Sequence, residues 1–287
     1  MNRIDIFETG QFTEIPASWD EMTPEQIQFV FRTFDYCVRH DKSPLEFNVR
    51  VLYHLLGIKP MLKRVPSLHD KLAENVYMLC ESLLTFMFKD SDKTANLSFD
   101  SVRNPLPVVR VGFKRYYGPA DLLADMCFGD FRRASTALNT FFASKEEDDL
   151  DECIAYLYRR RGKFPDRAGR KVIAIDNNRL PNAKKRVSKF RPWQKNLIML
   201  WFSACINYLQ TGVVVIDGEE VNMQNLFAGV SKEQYGYNWN DMLVEIAKEQ
   251  TVGPIDRVDE EPLFSIFGLM WHNFKERKHY EKISKAQ

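Results

Sequence analysis

The sequence predicts a mostly α-helical protein with two small β-ribbons, an α+β chain of helical-bundle architecture. Three observations predict this class. Helix-start signals precede stretches in which apolar residues recur every three to four positions. Two other stretches alternate apolar and polar residues, which is typical of half-buried strands. With 287 residues, 45% of them hydrophobic, the chain can bury a large core, so a wholly disordered protein is excluded.

In the N-terminal third, the helix starts can be read directly. Thr23-Pro24-Glu25-Gln26 combines a capping-box pattern with proline at the first helical position, and an apolar stripe follows it. Ser43-Pro44 repeats this start, and Gly57 predicts the end of the second helix. A third helix is predicted from near Ser67. Together these helices predict a small bundle.

The apolar pattern changes to period two over about 94–117, which predicts the first ribbon, with its turn near Asn104-Pro105. Helices resume after Gly118-Pro119. One of them is predicted to be capped near Asp149 and to reach Tyr158. The acidic residues at its start are favoured there because the N-terminal end of a helix carries partial positive charge.

The C-terminal part returns to helices around one hairpin. Pro192-Trp193 opens a helix that is apolar enough on several faces to lie in the main core. The second ribbon is a hairpin over about 213–222, because Asp217-Gly218 suits the type I′ turn that joins two short strands. Two last helices are predicted to begin near Asn240 and after Asp259.

We expect three regions along the chain: a helical domain over 1–160 that contains the first ribbon, a basic loop or arm over 161–191, and a C-terminal helical region over 192–287. The middle region is defined by its charge. Between Arg159 and Lys195 there are fourteen Lys and Arg residues against two acidic ones, a net +12. The whole chain is only +1, so the remainder is strongly acidic.

This charge asymmetry indicates a binding surface. The favoured interpretation is that the basic arm docks onto an acidic protein surface, including the acidic run 146–152 of this chain or of another copy in a homo-oligomer. Nucleic acid is the alternative partner, because cations neutralise phosphates and interleaved aromatic residues stack on bases. A solvated loop is the third interpretation. The candidate partner-binding residues are Arg159, Arg160, Arg161, Lys163, Lys184, Lys185, Arg186, Lys189 and Arg191.

No motif for catalysis, for a cofactor or for a metal ion is visible. No two histidines are spaced four residues apart, and the phosphate-binding glycine motifs and the nucleophile-elbow motif do not occur. The compact carboxylate groups, Asp90 with Asp92 and Asp217 with Glu219 and Glu220, fall at a predicted helix end and a hairpin turn. We therefore expect no catalytic, cofactor-binding or metal-binding residue, and an enzyme with a site assembled only in three dimensions is the third functional hypothesis.

The cysteines and the apolar runs bear on the compartment. There are five cysteines, an odd number with no C-x-x-C pair, which predicts buried free thiols in a reducing compartment. No signal-peptide pattern and no run of membrane-spanning length is present. We expect a protein that is neither exported nor inserted into a membrane.

Three stretches carry a resemblance to a known group of proteins: Ile15–Gln26, Ala155–Arg159 with the basic segment after it, and Trp239–Leu243 with Phe264-x-x-Phe267. In these patches the chain resembles uncharacterised proteins encoded in the tail-gene region of tailed bacteriophages and prophages of gut bacteria. The resemblance implies a virion component or tail-assembly factor that binds other phage structural proteins without catalysis. It also implies the cytoplasm of an infected bacterial cell, and leaves open whether the protein stays in the virion.

Overall fold

The structure, a computed structural model, describes residues 1–6, 11–57, 71–88, 96–227, 232–233, 236–237, 239–248 and 252–286. Over these residues the chain forms ten α-helices and four two-stranded antiparallel ribbons, which confirms the predicted mostly α class. The chain divides into two compact units, 1–106 with 191–201, and 107–190 with 202–287. This division differs from the expected three regions, since the basic segment is a folded part of the second unit.

The first unit contains a ribbon and three helices, joined by the first half of a long helix. Its elements are β1 (Asn2–Ile6), β2 (Gln11–Ile15), α1 (Pro24–Arg39), α2 (Pro44–Leu55), α3 (Lys71–Leu83) and residues 192–201 of α7 (Pro192–Thr211). The β1–β2 ribbon was not predicted. The start of the third helix near Ser67 lies outside the described residues.

The capping predictions for the first two helices are confirmed. The Thr23 hydroxyl accepts a hydrogen bond from the Gln26 amide at 3.2 Å, and the Gln26 side chain accepts one from the Thr23 amide at 2.8 Å. The Ser43 hydroxyl accepts from the Glu46 amide at 3.2 Å. These bonds satisfy amides at the first turn that have no partner inside the helix.

The core of the first unit is aromatic. The Trp19 ring lies 5.0 Å from Phe99 and 6.0 Å from Phe31, centroid to centroid. Trp201 and Leu197 are fully buried, as predicted for the apolar helix, and the Trp201 indole donates to the carbonyl of Val102 at 3.1 Å. The buried indole N–H is thus satisfied, which removes the main cost of placing tryptophan in a core.

The second unit holds most of the helices. Its elements are β3 (Val108–Val111), β4 (Lys114–Tyr117), α4 (Phe128–Ser144), α5 (Glu147–Leu157), α6 (Leu180–Val187), residues 202–211 of α7, β5 (Val213–Ile216), β6 (Glu219–Asn222), β7 (Lys232–Glu233), β8 (Gly236–Tyr237), α8 (Trp239–Lys248), α9 (Ile255–Glu260) and α10 (Leu263–Ala286). The Phe131 ring packs 4.7 Å from Trp239 and 6.1 Å from Phe202, which marks its core.

One ribbon is narrower than predicted and the other agrees. The first occupies 108–117 rather than 94–117, because the chain reverses at Gly112, whose φ of 56° permits a tight turn, and not at Asn104-Pro105. In the C-terminal hairpin, Asp217 and Gly218 have φ of 51° and 82°, as the predicted type I′ turn requires.

Two predicted helix starts are displaced by a few residues. Helix α5 begins at Glu147, so the acids from Glu147 to Asp149 form its first turn rather than precede it. Helix α8 begins at Trp239, which places Asn240 inside the helix rather than at its cap. All five cysteines are free and buried, as predicted.

Candidate functional site

The basic segment 161–191, predicted to be a loop or arm, is instead folded into the second unit. Tyr117 at the end of β4 and Arg159 exchange two backbone hydrogen bonds, of 2.8 and 3.1 Å. Further along, the Gly162 amide donates to the Lys171 carbonyl at 3.0 Å. These bonds extend the β3–β4 ladder into the basic segment, because each strand edge satisfies the backbone groups of the next.

Apolar side chains hold the rest of the segment. Val172 and Val187 are buried, the latter on helix α6. Phe190 is buried too, with its ring 5.4 Å from Tyr116 and 6.2 Å from Tyr158. The high charge of the segment led to the prediction of an arm, whereas these widely spaced apolar residues provide the contacts that order it.

Two buried arginines are structural: Arg159, just before the segment, and Arg170 within it. Arg159 is only 4% exposed, and its guanidinium is paired with the carboxylate of Asp130 on α4. Arg170 is equally buried and donates to the carbonyls of Tyr117, at 2.8 Å, and Leu157. Burial lowers the pKa of Arg170 to about 10, so it stays protonated at neutral pH. Arg159, which was predicted to bind a partner, is therefore buried and paired within the chain and does not present a free cation.

Lys184 is also engaged inside the chain. Its ammonium lies 2.6 Å from Asp148 and 3.0 Å from Glu152, both on helix α5. Burial acts to lower the pKa of Lys184, but the hydrogen bonds that its ammonium donates to the two carboxylates outweigh this effect and the pKa is raised. The acidic run thus meets the basic segment within one chain, which removes Lys184 from the residues available to a partner.

Of the nine predicted residues, six remain exposed in the second unit: Arg160, Arg161, Lys163, Lys185, Arg186 and Lys189. Arg191 is exposed as well but belongs to the first unit. Within the part of the chain that the structure describes, no carboxylate lies at ion-pair distance from any of the six.

Residues of the β3–β4 ribbon that were not predicted add to this set. Arg110, Lys114 and Arg115 are exposed, and the ribbon carries no acidic residue. Phe113 at its tip is fully exposed. The signal was present in the sequence as three cations without an acid between Pro107 and Gly118, but the alternation was interpreted only as the solvent side of a ribbon. We call the six exposed cations together with Arg110, Lys114 and Arg115 the basic surface.

A cavity of about 320 Å³ opens at this surface. Among the residues that the structure describes, its charged and amide lining consists of Arg159, Arg160, Arg179, Asn182 and Arg186, and no acidic residue lines it. Arg179 lies 3.7 Å from Asp176, and the guanidinium of Arg159 is held by Asp130 as described above. The cavity is therefore a concentration of positive charge and not a carboxylate site.

A second cavity of about 770 Å³ in the same unit is lined, in the described part of the chain, by five acids, and four of them, Asp130, Asp166, Asp259 and Glu260, are engaged in structural bonds. Asp259 pairs with Arg132 at 2.7 Å and with Arg133 at 2.8 Å. Asp166 accepts from the Arg170 amide at 2.8 Å, and burial raises its pKa. These pairings resemble a salt-bridge network more than the paired, differently titrating carboxylates of a hydrolase.

The carboxylates considered in the sequence have similar local roles. Glu219 accepts from the Trp271 indole at 2.7 Å and pairs with Lys275 at 2.9 Å, which lowers its pKa. Asp217 forms the hairpin turn, and Asp90 and Asp92 lie outside the described residues. Among the residues that are described, no group of three or more His, Cys, Asp or Glu side chains is arranged to hold a metal ion.

Comparison of the chain with protein-family models, with curated proteins and with solved structures gives no match. In the described ranges, none of the helices has both the length and the apolar character that crossing a membrane requires. The function must therefore be argued from the surface and cavity of the second unit.

Proposed function

We propose that this protein is a non-enzymatic binding protein whose basic surface docks onto an acidic surface of a partner protein. The observation that carries the proposal is the uncompensated charge: the nine cations of the basic surface face solvent without carboxylate partners in the described structure, whereas Arg159, Lys184 and Arg132 nearby are paired. A concentration of unpaired cations of this kind is more typical of a binding surface than of one that serves solubility, where both signs are interspersed.

Two exposed aromatic residues strengthen the proposal. Phe113 is fully exposed at the tip of the β3–β4 ribbon, and Phe164 is 71% exposed, with the Lys163 ammonium 5.3 Å from its ring. Large aromatic side chains anchor protein interfaces by inserting into pockets of the partner, while surrounding charges set orientation and encounter rate. The basic surface offers both.

The cellular context that we propose follows from the resemblance to tail-region proteins of tailed bacteriophages. In that context the partner is another phage structural protein, and the chain acts in tail assembly or in the virion. The same cations and aromatic rings are also typical of nucleic-acid binding, in which rings stack on bases and cations neutralise phosphates. That is the second candidate function.

The test is charge reversal on the basic surface. The tagged protein is produced in its native genetic context, and bound proteins are captured from nuclease-treated and untreated extracts and identified by mass spectrometry. We expect the captured partner to be an acidic protein. Its affinity, measured with both purified components, should fall about tenfold or more in R161E/K163E and in K185E/K189E, since exposed ion pairs contribute up to about 1 kcal/mol each. Lys248 and Lys282 are exposed on helices α8 and α10, so K248E/K282E is the matched control and should bind as the wild type does.

Two results would contradict the docking proposal. Equal loss in the control and in the basic-surface variants would mean that net charge, and not this surface, is responsible. Loss of every captured protein after nuclease treatment, with binding of purified DNA or RNA that weakens steeply with salt, would assign the surface to nucleic acid instead.

A further inference from the structure

We propose that the 320 Å³ cavity of the second unit binds a phosphate group, either as inorganic phosphate or as the phosphate of a small monoester. This inference goes beyond the docking proposal and does not depend on it. It rests on the charge, the walls and the size of the cavity.

The cavity has two positive charges in excess. Four arginines line it, and two of them are compensated: Arg159 by Asp130, and Arg179 by Asp176 at 3.7 Å. Arg160 and Arg186 have no carboxylate at ion-pair distance in the described structure. A phosphate dianion carries the two negative charges that would balance this excess. Guanidinium groups also suit phosphate because they donate paired hydrogen bonds in the geometry of its oxygens.

The arginines are held on rigid elements. Arg179, Asn182, Ala183 and Arg186 are spaced i, i+3, i+4 and i+7, so helix α6 with its preceding residue places all four on one face. The backbone of Arg160 is also held, since its carbonyl accepts from the amide of Ile173 at 2.9 Å. A site carried on ordered backbone loses less conformational entropy on binding than a site on a flexible loop.

The remaining walls of the cavity are apolar or aromatic, which strengthens the electrostatic field of the arginines and suits a small organic group beside the phosphate. Tyr116 and Tyr158 are buried, and Ile173 and Ile175 line the cavity with aliphatic carbon. Walls of low dielectric strengthen the attraction of an anion to the arginines. A volume of about 320 Å³ is at the lower end of pockets that hold small organic ligands, so it can admit a phosphate with a small substituent.

Isothermal titration calorimetry of the full chain in a phosphate-free buffer at low salt tests the site. Inorganic phosphate, adenosine monophosphate and adenosine are the three probes. We expect saturable binding of one phosphate per chain for at least one of the first two and none for adenosine. Tighter binding of the monophosphate indicates a phosphate monoester as the ligand, and equal or weaker binding indicates inorganic phosphate. Because the second ionisation of a phosphate monoester has a pKa of about 6, its affinity should decrease below that pH.

The variants R160Q and R186Q should each weaken phosphate binding by about tenfold or more, and R186K should recover part of the loss. K171Q is the matched control, because Lys171 is an exposed cation of the same segment that neither lines the cavity nor belongs to the basic surface; its affinity for phosphate should equal that of the wild type. Thermal unfolding of the wild type keeps the proposal testable if a variant does not fold. Phosphate at millimolar concentration should raise Tm saturably, whereas the general stabilising effect of phosphate salts grows with concentration without saturating.

The proposal is overturned by three results: binding of adenosine as strong as that of its monophosphate, equal effects of R186Q and K171Q, or a Tm that shows no saturable rise with phosphate. None of these results would affect the docking proposal, which is tested with Arg161, Lys163, Lys185 and Lys189 against a protein partner.

Discussion

Replacing Arg159 by alanine tests whether this arginine is a structural residue. Arg159 is 4% exposed and Asp130 is 8% exposed, so truncating the guanidinium leaves a carboxylate buried without its cation. Breaking a buried ion pair from one side typically costs about 3–5 kcal/mol. For a unit of this size each kcal/mol corresponds to about 2–4 °C, so we expect Tm to fall by about 6–20 °C.

The neighbouring residue supplies the matched control. Arg160 carries the same side chain, is exposed and has no ion-pair partner in the described structure, so Arg160→Ala should change the free energy of unfolding by less than about 0.5 kcal/mol. Urea unfolding followed by far-ultraviolet circular dichroism measures both variants. If Arg159→Ala is no less stable than Arg160→Ala, the assignment of Arg159 to the core is refuted.

A double variant separates the ion pair from packing. In D130A/R159A no uncompensated charge remains, so it should be more stable than the sum of the two single losses implies. Strict additivity of the two single effects would show that Arg159 and Asp130 do not interact.

Three further outcomes are expected. Gly162→Ala should destabilise by about 1–3 kcal/mol, because an added Cβ would lie 2.6 Å from the Val172 carbonyl oxygen; a variant as stable as the wild type in urea contradicts that contact. The folded-state pKa of Lys184 is raised, so the stabilisation from its pairing with Asp148 and Glu152 is complete below the ordinary lysine pKa of 10.5 and is lost as pH rises through the folded-state value. The Tm difference between wild type and K184M should therefore be constant at neutral pH and shrink in strong alkali. A difference that grows in alkali would be evidence against the pairing. Burial raises the pKa of all five thiols, so iodoacetamide should label them slowly in the native protein at pH 7.5 and rapidly in urea. Mass spectrometry counts the labelled thiols, and fast labelling of the native protein would place a thiol at the surface.

Local signals accounted for much of the secondary structure. The capping box at Thr23 and the Asp217-Gly218 turn appear where the sequence predicts them. Both depend on residues within a few positions of each other, whose hydrogen bonds and backbone angles follow from their own chemistry. The turn of the first ribbon was predicted at Asn104-Pro105 but lies at Gly112. Both sequences suit a turn, and the pairing of the two strands selects one of them.

The pattern of charge in the sequence located the candidate site, but it did not show which of its cations are exposed. The count of Lys and Arg identified the basic segment but not the ribbon cations Arg110, Lys114 and Arg115, because these lie more than forty residues before Arg159. Their proximity to Arg159 follows from the hydrogen bonds of Tyr117, a contact that no local pattern encodes.

The sequence by itself determined the mostly α-helical class, most helix starts and the presence of a strongly basic segment, since these depend on residues close together along the chain. Only the tertiary structure decided which cations are free. Arg159 and Arg160 are neighbours of one type, yet one is buried against Asp130, 29 residues earlier, and the other is exposed. Lys184 and Lys185 differ in the same way, because Lys184 pairs with Asp148, 36 residues earlier, and Lys185 does not. Desolvation and pairing depend on distances in space, and the folded chain sets those distances through contacts between residues far apart in the sequence.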